Sequence, residues 1–135
     1  MESGRREKKT LVVVSDGGDN ASRHTLADAM HLIEESHATI YTVGIYDPDD
    51  PDRNPGVLRR IAAVSGGECF LLNSVEDIVS TSRKIAEDIR RRYTIGYIPE
   101  RAKGKPGLRK IHVSAAAPDH GRLIVRTRTS YLDPK

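Results

Sequence analysis

The sequence predicts a three-layer α/β fold: a half sheet of parallel strands between helices, with an antiparallel extension at its C-terminal end. Three observations carry that expectation. The apolar runs Leu11-Val12-Val13-Val14, Ala38 to Ile45 and Glu68 to Leu72 alternate with stretches of helical periodicity. Helices between successive strands force parallel pairing, because parallel neighbours need a crossover. After the last helix the rhythm changes to three short strand candidates, Tyr93 to Ile98, Leu108 to Ser114 and Arg122 to Thr127, with Pro/Gly-bearing loops too short for helices.

The elements follow in order. Residues 1 to 9 are polar, carry Arg5, Arg6, Lys8 and Lys9, and read as a flexible basic segment. Leu11 to Val14 is a continuous apolar strand of the kind buried on both faces. Leu26, Ala29, Met30 and Ile33 repeat at helical spacing, with Asn20 or Ser22 as candidate caps. Ala38 to Ile45 is rich in β-branched residues and forms the second strand. Asn54 and Pro55 suit the N-cap and first position of a helix that buries Val57, Leu58, Ile61 and Ala62 and stops at Gly66-Gly67. Ser74-Val75-Glu76-Asp77 resembles a capping box, and Ile78, Ser82, Ile85 and Ile89 mark the buried stripe of the helix behind it. Arg90 to Arg92 close that helix, where cations favour the negative end of its dipole. Residues 10–92 thus read as a βαβαβα unit and 93–130 as its antiparallel extension.

With 135 residues the chain fits one domain, and its 37% hydrophobic content with one phenylalanine and no tryptophan places the core on Val, Ile, Leu and Ala. The single Cys69 excludes an internal disulfide and reads as a buried, inert thiol. Every apolar run is far short of a membrane span, so no membrane insertion and no signal peptide are expected. A net charge of +3 with few aromatics gives nucleic acid little to bind. No G-x-S-x-G, G-x-G-x-x-G or Walker-type G-K-S/T segment occurs, and the five histidines have no zinc spacing. Without a paired base and nucleophile, the chain is not expected to be an enzyme.

The chemistry-bearing segment is Ser15-Asp16-Gly17-Gly18-Asp19, directly behind the first strand. A strand that ends in an aspartate and two glycines builds a site at the sheet's crest, where Ser15 and Asp16 can hold a cation and the glycines turn the backbone. The same letters describe any tight strand-to-helix turn. In a parallel sheet the loop Asp47 to Asp52 emerges at the same end, so Asp16, Asp19 and Asp47 form an oxygen-rich set suited to Mg²⁺ or Ca²⁺. That loop lacks the spacing of a calcium loop.

In order along the chain, Leu11 to Asp19, Thr39 to Ile45 and Leu58 to Phe70 resemble the second half of a von Willebrand factor type A domain. The nearest likeness is to bacterial proteins described only as related to that domain. Those follow Gly-Gly-x-x-Phe with a long helix, a Tyr-x-x-Gly-Tyr-x-Pro strand and a basic antiparallel tail. Here the matching stretches are Gly66-Gly67-Glu68-Cys69-Phe70, Tyr93-Thr94-Ile95-Gly96-Tyr97-Ile98-Pro99 and Arg126-Thr127-Arg128-Thr129-Ser130-Tyr131. The resemblance covers residues 10 to 131 and implies a Rossmann-like sheet whose crest carries a metal-ion-dependent adhesion site for an acidic group of a protein partner. It places Asp16 on that site's third element, whose aspartate usually reaches Mg²⁺ through a water or another ligand and not directly.

The sequence departs from the family's pattern at its first element: no Asp-x-Ser-x-Ser occurs, and that element and the threonine of the second belong upstream of residue 11. One carboxylate cannot complete a Mg²⁺ shell, so a defective site without a cofactor is expected unless the missing elements come from elsewhere. The strand Leu11, Val12, Val13, Val14 would then lose its family neighbour and become an interaction edge, covered by the C-terminal strands or by a second chain. The resulting expectation is a noncatalytic protein-interaction module, homodimeric through its first strand. The alternatives are a cation-binding accessory domain or enzyme using Asp16 with Asp47 to Asp52, and, less favoured, a basic nucleic-acid-binding module. Related full-length bacterial proteins look exported, but the compartment of this chain is not legible in its residues.

Overall fold

A computed structural model describes residues 9–15, 23–46, 54–98 and 107–132. The predicted basic segment at residues 1–8, the helix caps Asn20 and Ser22, and the loop 47–53 lie outside the described residues. The fold is α/β, with strands β1 (Thr10–Ser15), β2 (Thr39–Ile45) and β3 (Cys69–Leu72) in one parallel sheet of order β1-β2-β3. Between them run α1 (Leu26–Glu35) and α2 (Pro55–Ser65), and α3 (Asp77–Arg91) follows β3. The register sets Leu11 against Ile40, Val13 against Thr42, and Thr42 against Cys69.

Alternation along β2 divides the core between two faces. Tyr41 and Val43 cluster with Leu72 and Ile85, and Ile45, Phe70 and Ile78 pack against that group. Ile85 and Ile78 belong to α3, which therefore covers this face. The opposite face carries Ile40 and Thr42, with buried Leu58, Ala62 and Ser65 of α2 against it. The Thr42 hydroxyl donates to the Leu58 carbonyl at 3.1 Å.

Local chemistry explains the helix ends. Asn54 accepts from the Val57 amide, Pro55 occupies the first turn, and Gly66 ends α2 at φ 76°. The Gly67 amide donates to the Ala62 carbonyl and the Gly66 amide to that of Ala63, a Schellman arrangement that satisfies two orphan carbonyls. Ser65 adds a long-range tie: its hydroxyl accepts from the Ile40 amide at 2.9 Å and sits 3.0 Å from the Ala62 carbonyl. Ser65→Ala leaves that buried amide without its acceptor and is expected to cost about 1–3 kcal/mol in urea unfolding.

The α1 cap is Thr25, in a full capping box with Asp28. The Thr25 amide and hydroxyl both donate to the Asp28 carboxylate, which holds its pKa below the usual carboxylate value. At α3, Ser74 binds the Glu76 amide one turn ahead of the helix, whose own cap residue Glu76 makes no side-chain bond. The buried stripe runs through Thr81 and Ile85, whereas Ser82 is exposed. Arg90 and Arg91 occupy the last turn as expected.

Three further expectations are corrected. β1 is an edge with exposed side chains, not a strand buried on both faces, because among the described residues it pairs with β2 alone. Tyr93 to Ile98 forms no strand: the segment leaves α3 beside the starts of β1 and β2 and stays exposed. The extension consists of two separate antiparallel pairs. β4 (Leu108–Lys110) pairs with β7 (Ser130–Leu132), and β5 (Ala115–Ala117) with β6 (Gly121–Leu123). The Ala117-to-His120 turn, followed by Gly121 at φ 63°, closes the second hairpin, and β6 ends at Leu123, short of the strand expected over Arg122 to Thr127. An alanine run carries little β propensity, so β5 has no sequence signature.

Candidate functional site

The predicted cation ligands Asp16, Asp19 and Asp47 lie outside the described residues, together with the loop to Asp52. Ser15 ends β1 opposite Gly44, at the crest where those loops leave the sheet. Among the described residues no three His, Cys, Asp or Glu side chains group closely enough to hold a metal ion. Cys69 is a free, half-buried thiol.

The predicted interaction strand is the clearest feature of the described surface. Leu11, Val12 and Val14 are 51%, 45% and 61% exposed, while Val13 is half-buried. Register gives the reason. Val12 and Val14 lie opposite Tyr41 and Val43, on the face covered by α3. The helix packs over β2 and β3, so its cover does not extend to β1. Leu11 points to the other face, beside Ile40. The edge is therefore apolar and open at Val12 and Val14 on one face and at Leu11 on the other, next to a backbone rim with no strand on it among the described residues.

A second cluster, absent from the sequence-derived candidates, lies at the opposite end of the sheet, where the strands begin. Tyr41 is fully buried and donates to the Asp88 carboxylate at 2.7 Å. Arg92 donates through Nη2 to the Tyr41 hydroxyl at 3.2 Å and the Gly66 carbonyl at 2.9 Å, with its guanidinium 5.5 Å from the Tyr41 ring centroid. Arg126 bridges Glu68 and Asp88. Arg128 donates to the Glu34 carbonyl at 2.9 Å and to His37 Nδ1 at 2.7 Å. Burial first, then the bond to Asp88, pushes the Tyr41 pKa up to about 12, against the pull of Arg92 and Arg126. The signals for this cluster are slight: a lone tyrosine in an apolar strand and the Arg126-x-Arg128 alternation in a tail read only as basic.

No known family model matches the chain, and no curated protein does. Among the solved structures that match it, two share its fold over about three-fifths of the chain. An uncharacterized membrane spanning protein from Vibrio fischeri has a TM-score of 0.52 and 24% identity, over 59% of this chain and 46% of its own. An uncharacterized protein from Alicyclobacillus acidocaldarius subsp. acidocaldarius DSM 446 has a TM-score of 0.50 and 19% identity, over 61% of this chain and 35% of its own. The chain therefore spans less than half the length of either. No helix among the described residues is long and apolar enough to cross a membrane.

Proposed function

We propose that the chain is a noncatalytic protein-interaction module of incomplete von Willebrand factor type A kind, recruiting a partner strand through β1, with a second copy as its partner. The supporting observation is the edge position of β1 combined with the exposure of Leu11, Val12 and Val14. An apolar edge with no strand on its outer rim among the described residues is a template for strand addition, giving main-chain hydrogen bonds and apolar burial together. Two copies related by a two-fold axis through the sheet would pair their β1 strands antiparallel and join their sheets. The parallel βαβαβ order and the Gly66-Gly67 stop before β3 are in keeping with the family resemblance.

Size-exclusion chromatography with light scattering tests the reading. The wild-type chain should dimerise as concentration rises, and Val12→Lys/Val14→Lys should be monomeric at the same concentrations. Both positions are exposed, so the variant's fold should survive within roughly 0.5 kcal/mol per site. A wild-type monomer throughout the range defeats self-pairing.

In this reading association runs through the backbone and apolar side chains of β1 and does not depend on a divalent cation. Chelation by EDTA should leave the dimer fraction unchanged. Dissociation on chelation, reversed by Mg²⁺ and abolished by Asp16→Ala, would return the metal-dependent alternative to first place.

A further inference from the structure

We infer that the cleft at the N-terminal end of the sheet is a binding site for a phosphate-type oxyanion, either free or carried as a monoester on a small molecule. The cleft has a volume of about 330 Å³ and is lined by Lys9, His37, Arg92, Arg126 and Arg128, with no carboxylate in its wall. That volume falls at the small end of ligand sites, roughly 300–1,000 Å³. It lies at the other end of the strands from Ser15 and the crest, and it owes nothing to the β1 edge proposal.

The three arginines divide into two roles. Arg126 is neutralised by Glu68 and Asp88 and braces the wall. Arg92 and Arg128 are positioned instead by neutral acceptors: the Gly66 carbonyl and Tyr41 hydroxyl for one, the Glu34 carbonyl and His37 ring for the other. Neutral acceptors fix a guanidinium without cancelling its charge. Neither Arg92 nor Arg128 has a carboxylate ion pair among the described residues, and the Glu34 carboxylate is turned to Ser130 at 3.4 Å. Cations gathered in one concavity repel one another until an anion enters, and guanidinium forks match the oxygens of a phosphate.

His37 gives an independent mark of specialisation. It sits just past α1 at φ 51°, a left-handed position where glycine is the usual occupant. The backbone strain is tolerated and the ring is held on Arg128. Strain retained beside a cationic cleft points to a local function beyond ending the helix.

The experiment is titration of the full chain by calorimetry and thermal shift with inorganic phosphate and with phenyl phosphate, against sodium chloride at matched ionic strength. Saturable binding and a rise in melting temperature beyond the chloride control are expected with at least one of the two. Tighter binding of phenyl phosphate assigns the site to a monoester, and equal or weaker binding assigns it to free phosphate. Arg128→Gln should weaken binding about tenfold, as loss of a charge-assisted contact does. His37→Gly should hold or raise the melting temperature of the free protein while weakening binding, a split that a purely structural residue does not produce. Arg59→Gln, on α2 and away from the cleft, should bind as wild type. Phosphate indistinguishable from chloride overturns the inference, as does an equal loss in Arg59→Gln and Arg128→Gln. Arg92 also packs on Tyr41, so the test relies on Arg128 and His37 and keeps its meaning if Arg92 variants misfold.

Discussion

Gly67→Ala is expected to destabilise the protein by about 3 kcal/mol or more, enough to leave a marginal domain substantially unfolded. A Cβ at Gly67 would overlap the Ile40 carbonyl oxygen and stand 2.6 Å from its carbonyl carbon and 3.3 Å from the Tyr41 nitrogen. All three are backbone atoms of β2, the central strand, so no flexible side chain can move aside. Retreat of Gly67 itself is opposed by its amide, which donates to the Ala62 carbonyl at 2.9 Å. Retreat of β2 is opposed by the Ser65 bond to the Ile40 amide and by the burial of Ile40 and Tyr41. Gly96→Ala is the control, since nothing lies within 4 Å of a Cβ there, and it should change stability by less than about 0.5 kcal/mol. Urea midpoints of the two variants measure the contrast. Equal midpoints would refute the close approach of Gly67 to β2.

The same pair of glycines shows how far the sequence could be read. That Gly66-Gly67 ends a helix is local information, as are Asn54 at the cap and Pro55 in the first turn, and each sits where expected. That Gly67 must also pass against Ile40 is long-range, and no spacing rule encodes it. Strand pairing divides in the same way. Helices between the apolar runs imposed parallel order on β1, β2 and β3, but the edge position of β1 depends on which strands are available to pair with it. Tyr93 to Ile98 has the residues of a strand and pairs with no strand among the described residues, so β composition did not produce β structure. At the crest, Asp16, Asp19 and Asp47 lie outside the described residues. At the opposite end, residues distant in sequence, from His37 to Arg128, come together around Tyr41 and Gly66, a juxtaposition that only the fold supplies.

Tyr41 should make the protein sensitive to alkali. The phenol is fully buried beside Val43, Leu72 and Ile85, and it donates its proton to Asp88. Ionising it in place would set a phenolate against a carboxylate in a poorly solvated core. Its pKa therefore rises from 10.0 to about 12, with burial the leading cause and the Asp88 bond the second. In the unfolded chain the same phenol ionises at its ordinary value. Between these limits the unfolded state has released a proton that the native state retains, so stability falls as pH rises. The contribution is fully present below about pH 10 and lost by about pH 12. For one group shifted this far it amounts to roughly 2–3 kcal/mol.

Other groups titrate in the same range, so the decisive quantity is the difference in urea-unfolding free energy between wild type and Tyr41→Phe across that interval. At neutral pH the phenylalanine variant keeps the ring in the core but leaves Asp88 without its buried donor, at a cost of about 1–3 kcal/mol. Arg92 retains the Gly66 carbonyl and Asp88 retains Arg126, so the variant should fold. As pH rises past 10.0, the ordinary value of the phenol, wild type alone loses the tyrosine contribution and the two stability curves should converge. Curves that stay parallel to the limit of measurement would mean that the phenol ionises as readily in the folded protein as in the unfolded chain. Convergence would instead place the proton on Tyr41 at the centre of the contacts joining β2, α3 and the basic tail.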